Sequence, residues 1–384
     1  MWTPIIFFVL LSVLVLVHEI GHFLAAKKIG VKVEEFGLGY PPRLFGKKIG
    51  ETIYSLNLLP FGGFVKLFGE NGESHSDKAS RDKGSESKRA FYNRSKLERA
   101  IILVAGVSMN FLLGVVVISI IFTNGVLIPS EKVYVQQVIK NSPAFLAGIK
   151  ENDQIVSLNG KAIKTPQDLI VQTKEGAGKE VSLVIKRCTL EKIDNVPTGK
   201  ENNCSTIEKV LVPRTNVSPK EGPMGVAISN LVVKKYPLWQ APIYGTREAF
   251  RMSYLIAEGV LKIFGQLIFK ANLPSDVAGP IGIYQITSEA VKFGPLAILQ
   301  LLGLLSLNLA VVNILPIPAL DGGRLAMIFL EVIVGKRKLE RYENLVSSIG
   351  FATIIGLIVL ITFSDLNRIF KFQELIKHFS LPFR

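Results

Sequence analysis

The sequence predicts a polytopic α-helical membrane protein with about four spanning helices, a small membrane-associated β-region and one inserted α+β domain. Three observations carry that expectation. Four apolar stretches, at residues 4–26, 100–122, 295–315 and 345–363, are long enough, or nearly so, to cross a hydrocarbon core of ~30 Å. The chain of 384 residues is 48% hydrophobic yet has a net charge of +14, which suits membrane spans joined to sizeable polar domains better than one soluble globule. Finally, the first stretch carries His18-Glu19-Ile20-Gly21-His22. Ionisable groups near a bilayer centre cost on the order of 3 kcal/mol each, so this cluster requires a compensating role.

The first span, residues 1–28, reads as retained. Met1-Trp2-Thr3 supplies no basic leader, and the apolar run continues through the histidines without a clear cleavage site. At 3.6 residues per turn His18 and His22 share a helix face, so both imidazoles can bind one Zn²⁺ while Glu19 takes a proton from the attacking water. Alternatively, the two histidines are satisfied core residues and Glu19 marks the helix exit. A third ligand decides between these readings.

Residues 29–68 alternate short β-rich runs with turn signals and predict a small sheet at the membrane surface. Residues 69–99 are rich in Ser, Asp, Lys, Glu and Gly, and read as a flexible polar loop. The second span, 100–125, contains Gly106-Val107-Ser108-Met109-Asn110. Small residues there let helices approach closely, and Asn110 reads equally well as helix-packing glue or as part of a site. Residues 130–232 form the inserted domain. Strand-like 133–138, the turn-and-helix element 141–148 and the segment 153–160 follow in an order that resembles a PDZ domain, present in one copy. Residues 238–294 carry amphipathic helical spacing interrupted by Arg247, Glu248, Arg251, Glu258 and Lys262, which suits interfacial helices better than a fifth span. The remainder divides into a third span at 295–323, a link at 324–344, a fourth span at 345–364 and a tail at 365–384.

Charge sets the expected orientation. The segment 27–99 carries fifteen Lys and Arg against nine acidic residues, and 324–341 adds five more basic residues on the same side. The positive-inside rule makes that side cytoplasmic and places both termini and the inserted domain outside. The basic excess is thereby a matter of topology, and no aromatic-interleaved basic platform points to nucleic acid. Only Cys188 and Cys204 occur, both on the outer side, either as a disulfide or as two free thiols.

The third span ends in Asn313-Ile314-Leu315-Pro316-Ile317-Pro318-Ala319-Leu320-Asp321-Gly322-Gly323. Two prolines break the helix, and broken backbone at membrane depth is tolerated only where it is buried in protein or lines a cavity. Asp321 is the carboxylate on that break, and two His plus one carboxylate is an established hydrolytic zinc set. The pairing of HExxH in the first helix with NxxPxPxLDGG late in the chain resembles the site-2 protease family of intramembrane zinc metalloproteases, of the bacterial RseP type. Gly62-Gly63-Phe64-Val65-Lys66 is similar to the family's membrane-associated β-region, and Gly106 to Asn110 to its GxxxN element. Two departures stand out: Val107 where the family often has proline, and a single PDZ where better-known members have two.

The resemblance implies His18, His22 and Asp321 as ligands to one zinc per chain, Glu19 as general base and Asn313 as a substrate-contacting group. It further implies cleavage of single-span membrane proteins, such as anti-sigma factors or remnant signal peptides, after trimming by an upstream site-1-type protease, in the bacterial cytoplasmic (inner) membrane. Gly62, Gly63 and Phe64 either pair with an unwound substrate strand or merely form a turn. Two other classes compete: a non-catalytic membrane scaffold presenting the PDZ domain, which an intact Glu19 argues against, and a zinc transporter, which the lack of a repeated half argues against.

Overall fold

A computed structural model describes residues 2–70, 87–193, 196–216, 222–270 and 277–370. In chain order the elements are α1 (Thr3–Ile29), β1 (Val33–Ile49), β2 (Thr52–Leu67), α2 (Lys96–Asn124), β3 (Val126–Val138) and α3 (Pro143–Leu146). There follow β4 (Gln154–Leu158), β5 (Lys161–Ala162), α4 (Pro166–Glu175), β6 (Val181–Ile193), β7 (Val196–Leu211) and β8 (Val226–Lys234). Five helices complete the described residues: α5 (Ala241–Lys270), α6 (Pro280–Phe293), α7 (Pro295–Ile314), α8 (Asp321–Val334) and α9 (Lys336–Phe370). They fall into two bodies, residues 1–121 with 242–384, and residues 122–241.

Among the described residues, four helical segments are long and apolar enough to span a membrane: Thr3–Ile29, Lys96–Asn124, Pro295–Ile314 and Leu345–Asn367. They coincide with the four apolar stretches read from the sequence. α1 begins with Pro4, whose missing N–H costs nothing in the first turn, and ends at Gly30 in the left-handed conformation with φ 85°. There Gly30 N–H reaches Lys27 O and Val31 N–H reaches Ala26 O, satisfying carbonyls that the helix end would leave bare.

β1 and β2 form one sheet in which the first half of β1 is paired on both sides. Phe36 lies opposite Tyr54 in one direction and Val65 in the other, while Phe45 to Ile49 pair with Thr52 to Leu56 across a Gly50-Glu51 turn. Gly50 has φ 63°, as a two-residue hairpin turn with glycine first requires. Among the described residues the second half of β2, including Gly63 to Lys66, therefore has a strand partner on one side only. Leu44, Phe45, Leu58 and Leu59 are exposed, which fits a sheet that meets lipid. A buried cluster of Ala26, Val31, Val33, Leu67, Phe91, Ile102 and Ile328 ties the sheet to α1, α2 and α8.

One of the sequence readings needs correction. The loop expected over 69–99 is built in its last part: short 3-10 turns at Ser87–Arg89 and Phe91–Asn93 precede α2, and Phe91 and Tyr92 are buried. Two aromatic rings in otherwise polar sequence anchor that stretch, while 71–86 lies outside the described residues. The link at 324–344, given no secondary structure from the sequence, is helical, made of α8 and the start of α9 separated by Gly335. The buried ion pair from Arg99 to Glu331, 2.5 Å, fastens α8 to the start of α2. The amphipathic region 238–294 holds α5 and α6. The start of α6 has no cap of its own, and Asp365 from α9 serves instead, accepting the N–H groups of Gly279 and Gly282 at 2.9 and 2.8 Å.

The second body is a six-stranded antiparallel sheet in the order β7-β6-β4-β3-β8, with β5 pairing β4 and two helices. Its core gathers alternating strand residues, among them Val133, Ile155, Leu183 and Ile185, with Ala144 and Leu169 from α3 and α4. α4 opens with a reciprocal capping box between Thr165 and Asp168. Cys188 and Cys204 are joined as a disulfide between the neighbouring strands β6 and β7.

Candidate active site

The geometry of the first body grows from two close approaches of α1 to α2. A side chain at Gly21 would strike the Ala105 carbonyl, and one at Gly106 would strike the His22 imidazole. Both positions must stay bare for the histidine face of α1 to lie against α2. On that face His18 and His22 are 7% and 8% exposed, with ring centroids 4.6 Å apart. The His22 Nδ1 faces the Ile102 carbonyl at 2.8 Å. That bond places the proton on Nδ1 and leaves the lone pair of Nε2 free to bind metal.

The Pro316–Pro318 break delivers the third group. Released from α7, the chain turns at Ala319, which has φ 73°, and restarts at Asp321, the first residue of α8. Gly322 and Gly323 follow with their α-carbons against the Ile314, Leu315 and Ile317 carbonyls, where any side chain would collide. Asp321 Oδ2 then stands 3.0 Å from His18 Nε2 and 3.3 Å from His22 Nε2, while the two Nε2 atoms are 3.0 Å apart.

These three atoms fit a metal. Asp321 Oδ2 is buried and, close as it is to both rings, finds no hydrogen bond of acceptable angle. Three electron-pair donors converge instead on one point. Their separations compare with the ~3.3 Å expected between corners of a tetrahedron whose bonds are about 2.0–2.1 Å, and the nitrogen and oxygen donor set is one that zinc accepts. The other described group of potential ligands, Cys188, Glu201 and Cys204, has both sulfurs committed to the disulfide.

A cavity of about 320 Å³ opens beside the three ligands, and Glu19, Tyr40, Gly63, Phe64 and Arg324 are among its walls. Glu19 is thus in the same chamber as both histidines. Gly63 and Phe64 belong to the half of β2 that is paired on one side only. Gly62, at φ 81°, lies one residue back, packed against the Tyr40 ring. Asn313, near the end of α7, brings its amide nitrogen to 3.5 Å from His18 Nε2. The Arg324–Glu70 ion pair lies on the cavity wall one helical turn beyond Asp321. Of the sequence-selected residues, His18, Glu19, His22, Asp321, Asn313, Gly63 and Phe64 therefore come together, and Cys188 and Cys204 belong to the other body.

Sequence reasoning missed the Ile102 carbonyl, Tyr40 and the Arg324–Glu70 pair. Only Ile102 left a trace, since Ile102, Gly106 and Asn110 recur at four-residue intervals along one stripe of α2.

A multi-pass membrane body with two histidines and a carboxylate converging beside a glutamate-lined chamber defines a membrane-embedded metallohydrolase. Residues 6–357 match the model of peptidase family M50. A Clostridium perfringens protein provisionally named a zinc metalloprotease is 34% identical over 357 residues, covering 92% of this chain and 96% of that protein. A Clostridium acetobutylicum protein with a similar name is 35% identical over 356 residues, 92% and 94% of the two chains. The regulator of sigma-W protease RasP of Bacillus subtilis is 30% identical over 440 residues, 96% and 99% of the two chains. The chain belongs to peptidase family M50. It is an intramembrane zinc metalloprotease.

Proposed function

We propose that this protease hydrolyses a peptide bond within or beside the spanning segment of single-span membrane proteins, with one zinc per chain held by His18, His22 and Asp321. The observation that carries the ligand assignment is the convergence of three buried donor atoms, 3.0 to 3.3 Å apart, on a cavity that also contains Glu19. When bound, zinc supplies a Lewis acid that polarises a carbonyl and acidifies water. Glu19 takes the proton from the attacking water and returns it to the departing amide nitrogen, so one carboxylate serves both half-reactions. Asn313 turns its amide toward the ligand atoms, where it can donate to a substrate carbonyl.

A helical substrate hides its carbonyls in internal hydrogen bonds. The one-sided pairing of β2 supports edge addition as the means of exposing them. An unwound substrate strand laid against Gly63 and Phe64 would run along the cavity wall. The six-stranded body with α3 and α4 supports the PDZ reading, with β8 as an open edge, and a role outside the membrane in docking or sizing substrate ends. Basic residues on the 27–99 side support a bacterial cytoplasmic membrane location with both termini and that body outside. The name of the Bacillus subtilis relative, a regulator of sigma-W, supports anti-sigma factors as substrates. Remnant signal peptides and prior trimming by a site-1-type protease complete the proposal.

The test is Glu19→Gln. The purified variant should retain the parent's zinc while cleavage of a trimmed single-span substrate falls by ~10²–10⁴-fold. Parental cleavage by that variant would remove Glu19 from the reaction.

A further inference from the structure

His22 has its ring proton fixed by a backbone carbonyl, and zinc binding sets the same demand on His18. With Nε2 among the converging ligand atoms, the ring proton must sit on Nδ1 and needs an acceptor in a buried environment. The group facing His18 Nδ1 is the side-chain amide of Asn110, whose nitrogen lies 3.3 Å away. Asn110 is fully buried, and its Oδ1 has no hydrogen-bond partner. An amide with its NH₂ toward the ring drives the ring proton to Nε2, the atom that metal requires bare, and strands a buried carbonyl oxygen. A half-turn of the amide about its last side-chain bond exchanges two atoms of nearly equal size, turns the oxygen to the ring, and lets Nδ1 keep the proton while Nε2 stays bare.

We infer that Asn110 is a positioning residue for the metal site, presenting its side-chain oxygen to Nδ1–H of His18 and so holding that ligand in its metal-binding tautomer and orientation. The inference rests on the assignment of His18 as a zinc ligand. α2 then orients both histidines from one stripe, His22 through Ile102 O and His18 through Asn110, two turns apart. The stripe is itself anchored: Ser306 of α7, fully buried, donates its hydroxyl to the Asn110 backbone carbonyl at 2.7 Å. A residue present only to glue helices would use its amide on the neighbouring helix backbone. Here the backbone carbonyl makes that contact, and the amide faces the ligand.

The experiment measures zinc affinity by chelator competition on the full-length, detergent-purified chain, together with the visible spectrum of the cobalt-substituted protein. Asn110→Leu keeps the volume and removes the acceptor; Asn110→Asp keeps an oxygen and removes the donor. Asn110→Leu should weaken zinc binding by roughly 10–100-fold, shift the cobalt spectrum, and lower kcat with KM for a membrane substrate unchanged. Asn110→Asp should stay within about threefold of the parent's zinc affinity, as carboxylate–histidine–zinc arrangements do. Parental zinc affinity and cobalt spectrum in Asn110→Leu would overturn the inference, as would loss of zinc by Asn110→Asp comparable to that of the leucine variant. Should Asn110→Leu fail to fold, the aspartate variant decides alone. His18→Ala separates this inference from the one beneath it: zinc retained at parental affinity there refutes the ligand assignment itself.

Discussion

The bare α-carbon of Gly106 offers the sharpest test of how the site is built. A Cβ placed there would stand 2.9 Å from Cδ2 and 2.5 Å from Cε1 of His22, and nearer still to Nε2. Carbon contacts settle near ~3.5 Å, so Gly106→Ala forces the ring or the helix back by about 1 Å. The ring has little freedom to yield, because Nδ1 is held by Ile102 O on the same α2 stripe. Metal sites tolerate ligand displacements of only ~0.2 Å. Overpacking of this kind costs about 1–3 kcal/mol. If that strain is released at the metal, zinc affinity falls by roughly 5- to 150-fold, since each 1.4 kcal/mol is tenfold. The assay is chelator competition for zinc alongside substrate cleavage. Gly259→Ala is the control: it lies in α5 with open space around its Cβ, and should leave zinc affinity unchanged while favouring the helix by ~1 kcal/mol. A Gly106→Ala protein with the parent's zinc affinity and cleavage rate would refute the claim that the α1–α2 approach sets the position of His22.

The body at 122–241 should depend on its disulfide. The Cys188–Cys204 separation is 16 residues, worth about 3 kcal/mol by chain entropy, so replacing both cysteines with serine should lower that body's melting transition by on the order of 10 °C; an unmoved transition in non-reducing buffer would contradict this. Acid should loosen the base of α1. Hydrogen bonds from Arg89 and Lys27 hold the Glu51 carboxylate at about 2, below its ordinary 4.5. A carboxylate lowered on folding stabilises fully above the unfolded value and loses that contribution as pH falls from 4.5 toward 2. Glu51→Gln should therefore flatten the acid limb of the melting-temperature profile across that window, and an unchanged limb would remove the network from the stability of this end.

Much of the membrane body is legible locally. Twenty apolar residues in a row have few alternatives to a spanning helix, because backbone polar groups in lipid must be satisfied within the segment. His18, Glu19 and His22 are fixed on one helix by a four-residue spacing, and the prolines at 316 and 318 announce a break that needs a purpose. Asp321 was reached by a chemical argument, as the carboxylate on that break, and the structure brings it to the histidines from some 300 residues away. The β-region was legible as strands and turns, but the double pairing of β1 was not. A strand's alternation reports which side chain faces which way, and says nothing of how many neighbours its edges acquire.

The sequence by itself determined the four candidate spans, the histidine pair with Glu19 beside it, and the class of chemistry, because each is written in side-chain identity and short-range periodicity. Only the tertiary structure decided that Cys188 meets Cys204, that Asp365 caps α6, that Glu331 partners Arg99, and that α2 supplies the Ile102 carbonyl and the Asn110 amide to the two imidazoles. The last two contacts join residues 80 and 92 positions apart. Their positions follow from how closely Gly21 and Gly106 let two helices approach, a distance fixed by packing in three dimensions and invisible to any local pattern.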